Sequence, residues 1–273
     1  FRPIIVHLSG RNFKCDPDDL MKVSLGLELL HNFTLVHDDI MDSDDTRRNM
    51  PTVHKKYDVP SAILAGDGIF TISQLILGTI QNNSNHLLQK YNEMVLEICE
   101  GQALDKQFEG VDKLNLDDYI EMVKKKTGAL LGACLSLPAI ISNENSEKVN
   151  ELYDAGKSLG VGFQIHDDIF EIFGEESVIG KSLGSDISSN KNTAIAIVAK
   201  ERNKVDWSNL TNQFDGKDLY KIRKFLEENN VKKKVENIAD SYFFSAFKSL
   251  KNLEIDEKNE LYGFFKMIKE RSY

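Results

Sequence analysis

Six carboxylates in two similar groups are the residues of this sequence best placed to do chemistry. The first group closes the stretch ELLHNFTLVHDDIMDSDDTRRNMPTVH, Glu28 to His54, where apolar residues at helical spacing run into Asp38, Asp39 and Asp42. At about 100° per residue, Asp38 and Asp42 stand one turn and about 40° apart, with Asp39 inside an arc of about 100° with them. Three carboxylates are therefore expected to share a face. Like charges that close raise one another's pKa and weaken the helix unless a cation sits between them or solvent surrounds them. Oxygen ligands suit hard divalent ions, and Mg2+ is commonly held by one or two carboxylates together with substrate phosphates. Arg47 and Arg48, a few residues on, carry guanidinium forks that match phosphate oxygens. Taken alone, a D-D-x-x-D is better explained as a solvated acidic helix end followed by a charged loop.

A second copy changes that balance. Gly162 to Gly174, GFQIHDDIFEIFG, again runs apolar residues into His-Asp-Asp, and Glu171 follows Asp167 by one turn as Asp42 follows Asp38. Facing each other in a helical bundle, two such faces would clamp several metal ions around one diphosphate, which suits metal-assisted departure of a leaving group. Lys126 and Thr127 precede the small, apolar run GALLGACLSLPAII, where an ammonium and a hydroxyl would meet a substrate together. Lys181 and Lys191 flank Asp186 in a Gly- and Ser-rich loop after the second acidic group, where a lid could exclude water. Plainer accounts exist for both, since a lysine run is ordinarily a solvated face and such a loop an ordinary connection. His31 lies two turns before Asp38 and about 20° from it on the helical wheel, although a histidine flanked by Leu30 and Phe33 is most often a core residue.

With these pieces in order, the chain resembles the trans-isoprenyl diphosphate synthases of the polyprenyl synthase family. D-D-I-M-D at Asp38 to Asp42 is similar to the family's first aspartate-rich motif, and D-D-I-F-E at Asp167 to Glu171 to its second. R-R-x-x-P-T-x-H at Arg47 to His54, K-T at Lys126 and Thr127, F-Q at Phe163 and Gln164, and G-K-x-x-G-x-D at Gly180 to Asp186 followed by Lys191 stand in the family's order. The stretch HNFTLVHDDIMD, His31 to Asp42, looks like that of the archaeal type of geranylgeranyl diphosphate synthase. Three departures stand out: Glu171 replaces a third aspartate, Asn49 replaces the glycine usual after the arginines, and the family's N-terminal basic segment is missing ahead of Arg2-Pro3. A chain that begins at Phe1 without an initiator Met suggests a trimmed or disordered start.

The resemblance implies an all-α, isoprenoid-synthase-type helical bundle around a central cavity, a homodimer, and head-to-tail condensation of isopentenyl diphosphate with an allylic diphosphate. It implies Mg2+ at Asp38, Asp42 and Asp167, with Asp39, Asp168 and Glu171 in support. Arg47, Lys126, Lys181 and Lys191 would hold the allylic diphosphate, and Arg48, His31 and Arg2 that of isopentenyl diphosphate. Thr127 and Gln164 would face the allylic cation left when diphosphate departs. The alkene of isopentenyl diphosphate then attacks, and loss of a proton, with released diphosphate as the base, completes the unit. Phe33 and Thr34, five and four places before Asp38, would form the floor against which the growing tail stops. A bulky Phe33 beside a small Thr34 implies geranylgeranyl diphosphate as main product, with farnesyl or longer polyprenyl diphosphates as alternatives.

The elements that must position these residues read as helices. Five prolines in 273 residues favour long helices, and no Pro-, Gly- or Ser-rich linker divides the chain, so one domain, 1–273, is expected. A start signal at Cys15-Asp16-Pro17-Asp18 opens a helix reaching Met41. Further helices are expected from Pro60, with Gly66 and Gly68 admitting a close neighbour, from Asn85 to Phe108, across Leu116 to Ile141, from Glu147 to Phe173, and onward from Thr193. Gln102 and Asp105 are expected to face the cavity mouth, while Asp67 is assigned no chemistry. No stretch approaches the roughly 18 apolar residues of a membrane span, and nothing resembles a signal peptide. Cys15, Cys99 and Cys134 lack metal-ligand spacing and fit free thiols in a reducing cytoplasm. A net charge of −9 argues against nucleic-acid binding, and it requires local cations or metal ions for an anionic substrate.

Other classes compete. His37-Asp38 and His166-Asp167 suggest a metal phosphohydrolase, which would want further metal-facing histidines where only six histidines exist. Glu28-x-x-His31 suggests a di-iron bundle, which needs a second such pair that the chain lacks. A terpene cyclase would lack the features at Arg47-Arg48 and at Lys181 to Asp186.

Overall fold

The computed structural model describes residues 1–174, 183–216 and 218–270. Its elements run α1 (Arg2–Asn12), α2 (Pro17–Met41), β1 (Thr46–Arg47), β2 (Met50–Pro51), α3 (Val53–Lys56), α4 (Val59–Leu77), α5 (Ser84–Phe108) and α6 (Leu116–Val123). A π-helical turn (Lys124–Gly128) joins α6 to α7 (Ala129–Ile141), followed by α8 (Ser146–Phe173) and α9 (Ser185–Ser188). The chain then forms α10 (Ala194–Asn212), α11 (Tyr220–Glu228), α12 (Val231–Asn252) and α13 (Glu260–Lys269). The class is all-α, as expected; the short hairpin of β1 and β2 is the one sheet among the described residues.

The chain divides into two compact units, Phe1–Met94 with Gly132–Tyr153, and Val95–Leu131 with Asp154–Tyr273. The three crossings fall inside α5, α7 and α8, where no linker or compositional break marks them.

In the first unit, α2 is the carrier of the first acidic motif. Asp16 caps it by accepting from the backbone N–H groups of Asp18 and Asp19, Pro17 opens it, and acidic Asp18 and Asp19 face its positive end. Leu20, Val23, Leu27 and Leu30 are buried along one stripe, and α2 packs most extensively against α4. Of the two glycines expected to admit a neighbour, Gly66 does so, because a Cβ there would strike the His37 ring; Gly68 meets open space.

α4 bears on the expectation about membrane spans. It is long and apolar enough, by length and composition, to cross a membrane, and only 17% of its most apolar stretch is buried. A scan for uninterrupted apolar residues stops at Gly66-Asp67-Gly68, whereas a window average absorbs one carboxylate. Ile63, Leu64, Ile72 and Leu75 are all exposed on it.

In the second unit, α8 carries the second acidic motif and packs its backbone directly on the π-helical turn. A Cβ on Gly160 would lie 2.6 Å from the Gly128 Cα. What the sequence presents as one run from Leu116 to Ile141 is thus broken into α6, one wide turn and α7. α10 bends at Asn203 (φ −157°, ψ 91°), whose side chain accepts from the Asp206 backbone N–H and restarts the helix.

Candidate functional site

Helix geometry decides which carboxylate of the first motif meets solvent. Asp38 and Asp42 lie on the outer arc, half-buried and exposed respectively, while Asp39 turns inward and is only 3% exposed. A carboxylate in that position needs a partner. Arg47 supplies it, with Nε and an Nη each 2.6 Å from one Asp39 oxygen. Arg47 is presented by the β1–β2 hairpin, whose turn is Arg48-Asn49, with φ values of 52° and 61°. Two central residues at positive φ match the twist of a tight hairpin. Asn49 thus occupies the left-handed conformation that glycine would otherwise supply, and asparagine is among the L residues that tolerate it. Thr52 ties the hairpin down by donating its hydroxyl to the Asp44 carbonyl at 2.7 Å.

Arg2 and His31 join the same cluster. Arg2 forms a two-point fork on Glu28, at 3.1 and 3.2 Å. Burial, then the positive charge of Arg2, pushes the His31 pKa down to about 4, with Arg48 and Arg47 adding to the effect, so His31 is neutral at pH 7. Arg48 itself is exposed at the hairpin tip. On the same helix Phe33 stacks on Phe70 of α4 at 5.2 Å, and Phe70 stacks on Tyr91 of α5 at 6.4 Å. Thr34 donates its hydroxyl to the His31 carbonyl.

The second motif repeats the division by other means. Asp168 is 5% exposed and accepts three hydrogen bonds: from the Tyr119 hydroxyl at 2.5 Å, the Ala194 backbone N–H at 3.0 Å and the Gln164 amide at 3.2 Å. Burial nevertheless raises its pKa to about 6. Gln164 in turn accepts from the Thr127 hydroxyl at 3.4 Å, so Thr127, Gln164 and Asp168 form one chain. Lys126 donates to Asp105 at 2.5 Å, and it sits where α5 comes so close that a Cβ on Gly101 would collide with the Lys126 backbone. Lys125 pairs with Glu100 and Lys157 with Glu97, so three α5 carboxylates hold the π-helical turn and the face of α8 beside it. A π-helical turn is a common mark of a functional site.

Glu171 accepts from the Ser185 hydroxyl and the Asp186 backbone N–H, each at 2.6 Å. Burial, then the Glu171 carboxylate, pushes Asp186 up to about 8. Lys191 pairs with Asp186 at 3.7 Å. Asp167 is half-buried beside them. Lys181 lies outside the described residues.

The expectation that all three carboxylates of each motif would present themselves together is corrected. Among the described residues, no three His, Cys, Asp or Glu side chains form a group ready to hold a metal. Asp39 and Asp168 point inward because a residue about 100° round the helix from the solvent-facing position meets packed neighbours. The outer donors Asp38, Asp42 and Asp167 are hard oxygen ligands, and one or two carboxylates completed by substrate phosphates is what Mg2+ ordinarily takes. Asp38 and Asp42 in the first unit, and Asp167 in the second, are therefore each donors of the kind that ion takes. Tyr119 and the start of α10 were missed from sequence. A signal existed, because Tyr119 lies in the buried stripe with Ile120, Met122 and Val123, and a buried tyrosine hydroxyl needs an acceptor.

Comparisons with known proteins place the chain in a family. The family model "Polyprenyl synthetase" matches residues 1–260. The chain is 41% identical over 203 residues to a geranylgeranyl pyrophosphate synthase of Geoglobus acetivorans, covering 73% of this chain and 63% of that protein. It is 38% identical over 200 residues to a short chain isoprenyl diphosphate synthase of Methanocaldococcus jannaschii, covering 72% and 61% respectively. Each match thus spans less than two thirds of those relatives' lengths. The crystal structure of geranylgeranyl pyrophosphate synthetase from Pyrococcus horikoshii superposes with a TM-score of 0.89 at 33% identity, covering 99% of this chain and 85% of that one. Two D-D-x-x-acid helix faces, each with its middle aspartate locked inward, occur here in a chain matched along nearly its whole length, and the chain belongs to the polyprenyl synthetase family.

Proposed function

We propose that this protein is a Mg2+-dependent prenyltransferase that condenses isopentenyl diphosphate head-to-tail with an allylic diphosphate, with geranylgeranyl diphosphate as its main product. The observation that carries the proposal is the repeated division of labour in the two motifs, with outer carboxylates for metal and an inner one anchored to the scaffold. Asp38, Asp42 and Asp167 would hold the ions, with Glu171 beside them; bound Mg2+ would neutralise the diphosphate as it leaves. Arg47, Lys126 and Lys191 bind the allylic diphosphate, Lys181 being assigned with them from the sequence motif. Arg48, His31 and Arg2 bind that of isopentenyl diphosphate. Asp39 orients Arg47, and Asp168 orients Gln164, whose carbonyl faces the allylic cation with the Thr127 hydroxyl. The new carbon–carbon bond forms from the alkene's electron pair, and the proton lost goes to the released diphosphate.

The product assignment is supported by the names of the relatives and by the ring stack of Phe33, Phe70 and Tyr91, against which a tail would stop. A second copy of this chain would cover the exposed apolar face of α4, giving the homodimer, and the three free cysteines suit the cytoplasm. The test is to incubate the protein with labelled isopentenyl diphosphate and each allylic primer, then size the products. A twenty-carbon product dependent on divalent metal is expected; no consumption of label with any primer would overturn the assignment.

A further inference from the structure

Gln102 is a buried amide with neither end satisfied. It lies on α5 at 9% exposure, and its Oε1 and Nε2 have no hydrogen-bond partner among the described residues, a condition shared only by the Ser24 hydroxyl. Folded proteins seldom keep such a group unless it meets something besides the scaffold. Its position indicates what that is. Asp105, one turn on, pairs with Lys126, and Gly101, one residue before, lies against the Lys126 backbone at the π-helical turn. In the other direction the same helical stripe continues as Ile98 and Val95, 6% and 8% exposed. Along one face of α5 the order is therefore charged pair, unpartnered amide, hydrocarbon.

An allylic diphosphate has the same order: anionic head, reacting carbon, hydrocarbon tail. Resting on the function proposed above, we propose that Gln102 is a further catalytic residue, whose amide contacts the allylic substrate at the carbon that loses diphosphate. As the carbon–oxygen bond breaks, its electron pair leaves with the diphosphate. The Gln102 carbonyl dipole then faces the electron-poor carbon until the alkene's electrons close the new bond. Nothing is oxidised, and Gln102 forms no covalent bond.

Gln102→Leu tests this. The expected result is a fall of about tenfold or more in kcat, with Tm unchanged or raised, because an apolar side chain removes an unsatisfied polar group. A second readout uses an ammonium analogue of the allylic chain and its neutral carbon isostere, each measured with inorganic diphosphate present. The parent's preference for the cation should fall about tenfold in the variant. If Gln102→Leu does not fold, Gln102→Met provides the same measurements. A kcat within about twofold of the parent's, or lost activity with the cation preference intact, assigns Gln102 to the scaffold and overturns the proposal. A parent protein that consumes neither substrate defeats the proposed function instead, so the two failures are distinct.

Discussion

The two acidic motifs share a pattern in sequence but anchor their inner carboxylates by opposite physics. Asp39 is held by a full positive charge, the Arg47 guanidinium, brought in on a hairpin. Asp168 is held by three neutral dipoles, a phenol, a backbone N–H at the start of α10 and a side-chain amide. A charge pair is strong but sensitive to ionic strength, and it carries a cation that can turn to a substrate anion. A cage of dipoles is short-ranged and indifferent to salt, and it fixes direction. The first motif is accordingly suited to binding, and the second to holding Gln164 and Thr127 in one orientation.

The largest expected effect treats the motifs alike. Asp38→Ala and Asp167→Ala should each lower kcat about a hundredfold or more, equivalent to about 2.7 kcal/mol of barrier, since each removes a metal donor. Full activity in either variant, or in excess chelator, would show that the outer carboxylates do not act on the leaving group.

The next pair separates them. Arg47→Leu leaves a buried carboxylate without its cation and should destabilise by about 2 kcal/mol. That is less than a fully buried pair would give, because a third of the Arg47 side chain meets solvent. Tyr119→Phe removes one donor of three and should destabilise by about 1 kcal/mol. Denaturant midpoints at low and high salt discriminate: the Arg47 effect should shrink as salt rises, the Tyr119 effect should not. Equal salt response would erase the distinction.

The approaches to the motifs differ as well. Before Asp38 stand His31, Phe33 and Thr34; at the matching places before Asp167 stand Gly160, Gly162 and Phe163. Phe33→Ser should lengthen the products and Thr34→Phe shorten them toward farnesyl diphosphate. Forcing a tail into packed rings costs about 1 to 3 kcal/mol, and each 1.4 kcal/mol is about tenfold in rate. Unchanged chain length for Phe33→Ser would place the floor elsewhere.

The smallest effect is on pH. The folded His31 pKa, about 4, lies below the ordinary histidine value of about 6.5, so the unfolded chain takes up the proton first. Its contribution to stability is therefore complete above about pH 6.5 and declines as pH falls toward 4. His31→Gln should flatten that part of the denaturation profile between pH 7 and 5, and an unaltered slope would mean that His31 is not the group responsible.

Most helices could be read directly from the chain, because their signals are local. Asp16-Pro17 and Asp58 cap where capping residues should, and Asn115 and Thr193 do the same. The acidic faces were visible for the same reason. Which carboxylate of each face would turn inward was not, since a helical wheel does not say where the neighbours stand. Tyr119, distant in sequence from Asp168, could be found only by asking what its hydroxyl bonds to. The two-residue strands at Thr46 and Met50 are too short to show an alternating pattern.

The wide turn at Lys124–Gly128 has a consequence for how the gene can change. A π-helical turn holds one residue more than an α-turn, and here it lies between Tyr119, which reaches Asp168, and Thr127, which reaches Gln164. Losing a single codon for Lys124 or Lys125 would leave a straight, well-formed helix of unremarkable composition. The two ends of that helix would face nearly the same way as before, because a wide turn and an α-turn each complete one revolution, so both contacts could survive. Loss of one residue is tolerable at this place; the same loss within α6 or α7 would turn every later side chain by about 100°.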